Sequence, residues 1–138
     1  MRSLFSILIT CFFITVCAQK TDDKKITNQK KQMMNLDNIT NDNVKKAIEA
    51  LESGDKIWYS YFTENIVMTD DGNKVDFKNF FAKALGTEKF LTIDKVENDG
   101  KDIYGNFKAG NWGTFRVFFK FHQNADGKFD RLDIGQAN

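Results

Sequence analysis

The sequence predicts one α+β domain in which N-terminal helices pack on one face of a curved antiparallel β-sheet. Apolar residues recur at helical spacing as far as Leu85, whereas the chain beyond Gly86 is rich in alternating apolar and aromatic residues. Turn dipeptides such as Asp-Gly separate the later segments and are strong hairpin signals. Helices followed by strands are typical of an α+β domain, and the 138 residues provide enough material for one core.

Residues 1–18, MRSLFSILITCFFITVCA, have the layout of a secretory signal peptide. Arg2 precedes an apolar run up to Val16 that is short for a membrane span. The sequence predicts cleavage near Ala18 and a secreted or periplasmic protein. Lipid attachment at Cys17 is the less favoured alternative, because Val16 stands where lipoprotein sequences usually carry a smaller residue.

Residues 19–41 contain no aromatic side chain and are mostly Lys, Asp, Asn, Gln and Thr. Too little apolar surface can be buried there to offset the entropy lost on ordering the chain. The sequence therefore predicts a flexible polar tether over residues 19–41 and a folded domain over residues 42–138.

The composition argues against several kinds of function. The 20 basic and 19 acidic residues leave no basic field to attract nucleic acid. Cleavage near Ala18 would remove both Cys11 and Cys17, and with them any disulfide or thiolate chemistry. His122 is the only histidine and has no second histidine or cysteine with which to hold zinc. We predict no cofactor, no metal site, no nucleic-acid partner and no membrane span.

Three segments of the domain show helical spacing. The first begins at an N-cap at Asn41 or Asp42 and ends at Gly54, and the third ends at Gly86. Their apolar positions are Val44, Ala47, Ile48 and Leu51 in the first, Ile57, Trp58, Tyr61 and Phe62 in the second, and Val75, Phe77, Phe80, Phe81 and Leu85 in the third.

The β-type segments begin with Ile66-Val67-Met68, which predicts a short strand before the third helix, with its turn at Asp71-Gly72-Asn73. An antiparallel meander of four longer segments then completes the chain. These cover residues 90–96, 103–107, 112–122 and 129–134.

Alternation divides the longest predicted strand into two faces. Phe115, Val117 and Phe119 share the face that belongs in the core. Phe118 then lies on the outer face, with Trp112 nearby. These two side chains are either partly covered surface aromatics or a patch through which a homodimer forms.

In these features the chain resembles the NTF2-like superfamily, which includes SnoaL-like cyclases and ketosteroid isomerases. The matching pieces are LESGD at residues 51–55, the strand 62–70, the helix 77–85 and DGKFDRL at residues 126–132. The resemblance spans nearly the whole domain and implies a cone in which helices cover a concave sheet. It supports a fold more strongly than an activity.

The resemblance implies a cavity between the sheet and the helices, open at one end. Such a cavity would be strongly apolar and suited to a flat hydrophobic ligand. The alternative is that the same aromatic side chains fill it as core. The expected lining is Trp58, Tyr61, Phe62, Met68, Phe77, Phe81, Tyr104, Phe107, Phe115, Val117, Phe119 and Ile134.

The resemblance also places Asp70 at the position of the general base of the ketosteroid isomerases. Tyr61 or Tyr104 would then donate a hydrogen bond to the reacting oxygen. However, the positions of the isomerases' own donors are held by Ala47 and Val117, which have no side-chain donor. Asp70 as an ordinary strand-end or turn residue is the alternative.

Two functions follow from the sequence. The first is a secreted or periplasmic NTF2-like domain that binds a small hydrophobic ligand or a protein partner without catalysis. The second is a SnoaL-like isomerase, cyclase or dehydratase in which Asp70 is the base.

Overall fold

The computed structural model describes residues 36–138, so the predicted signal peptide and most of the predicted tether lie outside the described residues. It confirms the predicted α+β class, with helices on one face of a curved, unclosed sheet. The elements are α1 (Asp42–Ser53), a 3-10 helix (Lys56–Tyr61), β1 (Phe62–Asp70), β2 (Asn73–Val75), α2 (Phe77–Ala84), β3 (Lys89–Phe90), β4 (Lys95–Glu97), β5 (Asp102–Lys108), β6 (Thr114–Gln123) and β7 (Phe129–Gln136).

Helix α1 follows the apolar spacing of the sequence. Its N-cap is Asn41, whose side-chain oxygen accepts hydrogen bonds from the backbone N–H groups of Asn43 at 3.0 Å and Val44 at 3.1 Å. All four predicted apolar positions of this helix are fully buried. The helix ends at Gly54, which has the left-handed φ of 74° that favours glycine.

Two glycines bring the ends of the helices together. A Cβ atom on Gly86 would lie only 2.9 Å from the Cα of Gly54, and both residues have positive φ. The backbone N–H of Gly86 donates to the carbonyl of Leu51 at 2.8 Å. The chain after α2 is thereby fixed against the end of α1, and the next residues lead to the open end of the sheet.

The described strands form one seven-stranded sheet in the order β2-β1-β7-β6-β5-β3, with β4 also paired to β5. The sheet is mixed, and in this it differs from the predicted antiparallel sheet. β1 runs parallel to β7, with Asp70 beside Ile134. The reason is that the chain passes from β1 through α2 and the antiparallel meander before β7 comes back to lie beside β1. Hairpin signals in the sequence concern only neighbouring segments, so they do not predict this long-range pair. Every other pair is antiparallel.

The predicted strand 90–96 is interrupted. β3 and β4 both pair with β5, but the segment between them crosses over Gly105, where a side chain would collide with the backbone of Thr92. The crossing segment keeps its register through hydrogen bonds from Leu91 N–H to the carbonyl of Asn106 and from Asp94 N–H to the carbonyl of Tyr104.

Packing begins before the predicted domain boundary at residue 42. Leu36 and Ile39, which lie within the predicted tether, are 8% and 4% exposed. The side chain of Asn38 donates to the carbonyl of Ile93 at 2.9 Å. Leu36 and Ile39 therefore pack with the domain although they precede residue 42, because two apolar residues spaced three apart provide buried surface that the average composition of the segment conceals.

The core is densest at the end of the cone below the helices. Trp58 has ring centroids of Phe62 and Phe81 at 4.6 Å, and Phe77 lies 4.6 Å from Phe62. These four side chains are between 0% and 5% exposed. We call this group the closed-end cluster. Such tilted aromatic contacts add to the free energy of burial.

Candidate functional site

A cavity of about 380 Å³ lies between the inner face of the sheet and the segment that follows α2. Its wall is mainly apolar, and its mouth lies beside the hairpin loop that joins β5 to β6. The lining consists of Asp70, Asp71, Phe80, Glu88, Phe107, Ala109, Trp112, Phe115, Val117, Phe119, Ile134, Gly135 and Gln136.

Asp70 is the last residue of β1 and faces this cavity. Its neighbour across the parallel pair is Ile134, which lines the same wall. The chain reverses immediately afterwards at Asp71 and Gly72, whose φ values of 48° and 82° suit a two-residue hairpin turn. A strand end beside a tight turn thus holds the carboxylate of Asp70 at a fixed position on the inner face.

Asp71 has a structural role in this turn. Its backbone N–H donates to the carbonyl of Ile134 at 3.0 Å. Its carboxylate accepts a hydrogen bond from the backbone N–H of Gln136 at 2.8 Å. Asp71 therefore ties the turn to the end of β7, and Asp70 is the carboxylate that remains available to the cavity.

Glu88 lines the same cavity as Asp70. Burial raises the pKa of Glu88, and the negative charge of Asp70 raises it further. Burial also raises the pKa of Asp70, with a smaller contribution from the charge of Asp71. Within residues 36–138 neither carboxylate accepts a hydrogen bond, so no donor compensates the two charges. The pair holds a proton at higher pH than free carboxylates do.

Trp112 marks the mouth. It is 86% exposed, although it is the largest type of apolar side chain. Its loop, residues 109–113, is closed by hydrogen bonds from Ala109 N–H to the carbonyl of Gly113 and from Trp112 N–H to the carbonyl of Ala109, both 2.9 Å. Trp112 and Glu88 also line two adjoining crevices of about 400 and 440 Å³. The indole therefore stands where these three spaces meet.

Comparison with known proteins gives structural matches only. No protein-family model matches the chain, and no curated protein matches its sequence. An NTF2-like protein of unknown function from Cytophaga hutchinsonii superimposes with a TM-score of 0.57 at 16% identity, covering 71% of this chain and 89% of that protein. The chain has the NTF2-like cone fold.

Two further structures share this cone. The orange carotenoid protein of Anabaena, which binds canthaxanthin, gives a TM-score of 0.56 at 17% identity over 70% of this chain and 35% of that longer protein. SalBIII, an epoxide hydrolase/cyclase-like enzyme in pyran ring formation of the polyether salinomycin, gives 0.51 at 14% identity over 78% of this chain and 94% of that one. At these identities the likeness is one of fold.

The NTF2-like cone divides the predicted lining into two groups. Phe107, Phe115, Val117, Phe119 and Ile134 line the cavity. The members of the closed-end cluster, together with Met68, are core side chains and do not line it. The sequence left two alternatives, an apolar cavity or a core filled by the same side chains. Each describes one end of the cone, since aromatic side chains fill one end and leave space at the other. The predicted lining residues that lie in the core are Trp58, Phe62, Met68, Phe77 and Phe81.

The structure does not bring either predicted tyrosine donor to Asp70. Tyr104 is paired with Phe118 and packs on it at 6.4 Å, on the outer face of the sheet, because alternation in β5 turns it away from the cavity. Tyr61 ends the 3-10 helix and packs half-buried against the core. Tyr104 is therefore removed from the predicted cavity lining, and neither tyrosine is among the cavity residues.

The two residues of the predicted homodimer patch lie in different elements of the structure. Phe118 lies on the outer face, half-buried, with the ammonium group of Lys120 5.0 Å above its ring. Trp112 lies at the cavity mouth, because it belongs to the hairpin loop and not to the strand that was predicted to contain it. A homodimer through Trp112 and Phe118 stays a prediction.

The outer face instead carries a polar network around Asp133. Burial would raise the pKa of Asp133, but hydrogen bonds from Arg131, Thr69 and His122 together lower it. His122 lies 2.8 Å from this carboxylate.

Residues 36–138 contain no group of three or more metal-ligating side chains placed to hold an ion. In the same described part, no helix has the length and hydropathy needed to cross a membrane.

Sequence reasoning missed several cavity residues, of which Glu88 and Trp112 matter most for ligand binding. Glu88 stands in a polar stretch between α2 and β3 with no periodicity to indicate its direction. Trp112 carries a weak signal, since a tryptophan between Gly110 and Gly113 in a hairpin loop has no core to enter. An exposed tryptophan in a loop is a reasonable indicator of a binding surface.

Proposed function

We propose that the protein binds a small hydrophobic ligand in the cone cavity without transforming it. The observation that carries this proposal is the apolar-walled space of about 380 Å³ beside Phe107, Phe119 and Ile134. This volume lies within the range of small-molecule pockets, which is roughly 300–1,000 Å³. The closed-end cluster fills the other half of the cone with packed rings.

The two structural neighbours with named ligands or reactions give analogy at the level of the fold. One binds canthaxanthin and the other acts in pyran ring formation. Their identities of 17% and 14% do not transfer a ligand or a mechanism to this chain. What supports binding here is the chain's own cavity, and what argues against catalysis is that no tyrosine donor faces Asp70.

Thermal-shift screening with hydrophobic small molecules tests the binding proposal. A ligand that binds only the native state raises the unfolding midpoint. The matched control is Ala109→Phe, which places a ring in the cavity mouth from a half-buried position. We expect shifts for the unchanged protein and none for this variant. Equal shifts for both proteins, or none for the unchanged protein across a broad library, would exclude binding in the cavity.

The second candidate function is proton transfer by Asp70, as in a SnoaL-like isomerase, cyclase or dehydratase. One observation favours it: Glu88 shares the cavity with Asp70, and burial together with the Asp70 charge raises the pKa of Glu88. A protonated Glu88 would donate a hydrogen bond while Asp70 accepts a proton.

Mass spectrometry of bound ligands separates the two candidates. Each ligand from the thermal screen is incubated with the protein and recovered. The non-catalytic proposal expects unchanged ligand. A product that forms with the unchanged protein but not with Asp70→Asn would establish the enzyme and overturn the proposal of binding alone.

We also propose that the protein acts outside the cytoplasm after cleavage near Ala18. The support is the layout of residues 1–18, which lie outside the described part of the chain. Expression in a bacterial host followed by N-terminal sequencing of the exported protein tests this. The expected N-terminus is Gln19, whereas a lipid-modified Cys17 or an uncleaved cytoplasmic chain would contradict it.

A further inference from the structure

The cavity is negatively charged, and binding of an uncharged hydrophobic ligand does not require that charge. Its lining includes three carboxylates and no lysine, arginine or histidine. Asp71 already accepts the backbone N–H of Gln136, so its charge is partly compensated. Asp70 and Glu88 have no such partner among residues 36–138. An uncompensated charge beside an apolar wall is costly unless something pairs with it.

We propose that the cavity selects a hydrophobic cation, an amine or quaternary ammonium compound, whose charge lies between Asp70 and Glu88. This inference rests on the proposed ligand-binding function and names the class of ligand for the same site. The apolar part of the ligand lies against Phe107 and Phe119. A carboxylate or sulfate with the same apolar body is rejected by like charge.

The aromatic side chains around the mouth favour the same ligand class. Phe80, Phe115 and Trp112 line the cavity together with the two carboxylates. Ring faces attract cations, tryptophan most strongly, and an ammonium group within reach of both rings and carboxylates gains from both. The exposed indole of Trp112 then has a role, because it covers the ligand at the mouth.

The competing cations of the chain lie in the crevice next to the cavity. Lys83 of α2 and Lys108 of β5 line this crevice together with Glu88. Neither forms an ion pair with Glu88 in the described part of the chain. Glu88 and Asp70 both line the cavity, and the lining contains no lysine, so a cationic ligand there has access to both carboxylates without displacing one.

Calorimetry with three probes of equal apolar length tests the inference on the full chain. The probes are octyltrimethylammonium, octanol and octyl sulfate, each below its micellar concentration. We expect octyltrimethylammonium to bind about tenfold more tightly than octanol, as expected for cation pairing at a partly desolvated site. Octyl sulfate should bind more weakly than octanol.

Substitutions test which residues produce the preference for the cation. The double variant Asp70→Asn with Glu88→Gln should abolish the preference for the cation, so that octyltrimethylammonium binds no more tightly than octanol. The matched control is Glu64→Gln, which removes an exposed carboxylate from the same strand as Asp70 and should leave the preference intact. Equal loss in both proteins would mean attraction by the surface in general and would overturn the inference.

The remaining outcomes separate the two proposals. Octanol binding that is lost in Ala109→Phe, with no preference for the cation, overturns the ligand class and leaves the cavity as a binding site. Failure of all three probes overturns the ligand class together with binding of simple amphiphiles in the cavity.

Discussion

The two ends of the cone use the same kinds of side chain for different purposes. At the closed end, Trp58 is fully buried and its ring contacts lie at 4.6 Å. At the open end, Phe107 and Phe119 pack on each other at 5.3 Å but also border the cavity. The difference lies in the neighbours, since carboxylates border the cavity at the open end, whereas the rings of Phe62, Phe77 and Phe81 pack near Trp58 at the other.

The chain contains only two tryptophans, and they stand at opposite ends of this comparison. Trp58 is 0% exposed and Trp112 is 86% exposed. The first contributes to stability by burial, whereas the second is available to a ligand. An aromatic residue in this fold is therefore interpreted from its contacts and not from its type.

The largest expected effect is at the closed end. Trp58→Ala should lower the free energy of unfolding by about 3–5 kcal/mol, the usual cost of removing a large buried ring. Denaturant unfolding measures this change. Trp58→Phe is the control that keeps a ring. It should cost clearly less, because the indole Nε1 is buried without a hydrogen-bond partner within residues 36–138.

Similar losses for Trp58→Ala and Trp58→Phe would contradict the assignment of stability to ring packing. A loss below 1 kcal/mol for Trp58→Ala would place the closed-end cluster outside the core that holds the cone together.

The next effect concerns the glycine contact between the helix ends. Gly86→Ala should lower the free energy of unfolding by about 1–3 kcal/mol, since φ is 76° and the new Cβ would press on the Cα of Gly54 at 2.9 Å. Chemical unfolding measures it. Gly72→Ala is the control, because its φ of 82° is equally strained but its Cβ would contact nothing within 4 Å. Equal losses would show that backbone strain alone matters.

Sequence reasoning predicted the fold well because local patterns determine most of it. The buried face of α1, the cap at Asn41 and the turn at Asp71-Gly72 all follow from nearby residues. The parallel pairing of β1 with β7 does not, because its partners are about 65 residues apart. The crossing over Gly105 is also non-local, since it depends on where Thr92 lies.

The candidate site was less predictable than the fold. Asp70 was identified through the resemblance to the ketosteroid isomerases, and alternation placed Phe119 on the inner face. Alternation also turns Tyr104 outward, but the resemblance had placed it in the cavity. Glu88 has no periodic neighbours, so only the folded chain reveals that it lines the same cavity as Asp70.

The third effect is a gain in stability at the open end. The pKa values of Asp70 and Glu88 are raised in the folded state above their ordinary values of 3.8 and 4.5. The native state then binds more protons than the unfolded state, so stability falls as pH rises through the raised pKa values. Asp70→Asn and Glu88→Gln should each raise the free energy of unfolding at neutral pH by less than about 1 kcal/mol, because both carboxylates are partly exposed and solvent screens their charges.

This gain should disappear below the ordinary pKa values, where the unchanged protein is already protonated. Thermal unfolding at neutral and acidic pH measures it, with Glu64→Gln as the exposed control. The charged groups near the pair are Asp71, Lys83 and Lys108. A gain that persists at acidic pH would mean that the substitutions act through packing and not through charge.

The smallest expected effect on stability is at the mouth. Trp112→Ala should change the free energy of unfolding by no more than about 0.5 kcal/mol, because the side chain is 86% exposed. The loop hydrogen bonds of residues 109–113 use backbone groups and remain. The same substitution should weaken the binding of a hydrophobic ligand several-fold, measured by calorimetry. A large loss of stability with unchanged binding would reverse the comparison, because Trp112 would then belong to the core of the cone and the cavity would close without it.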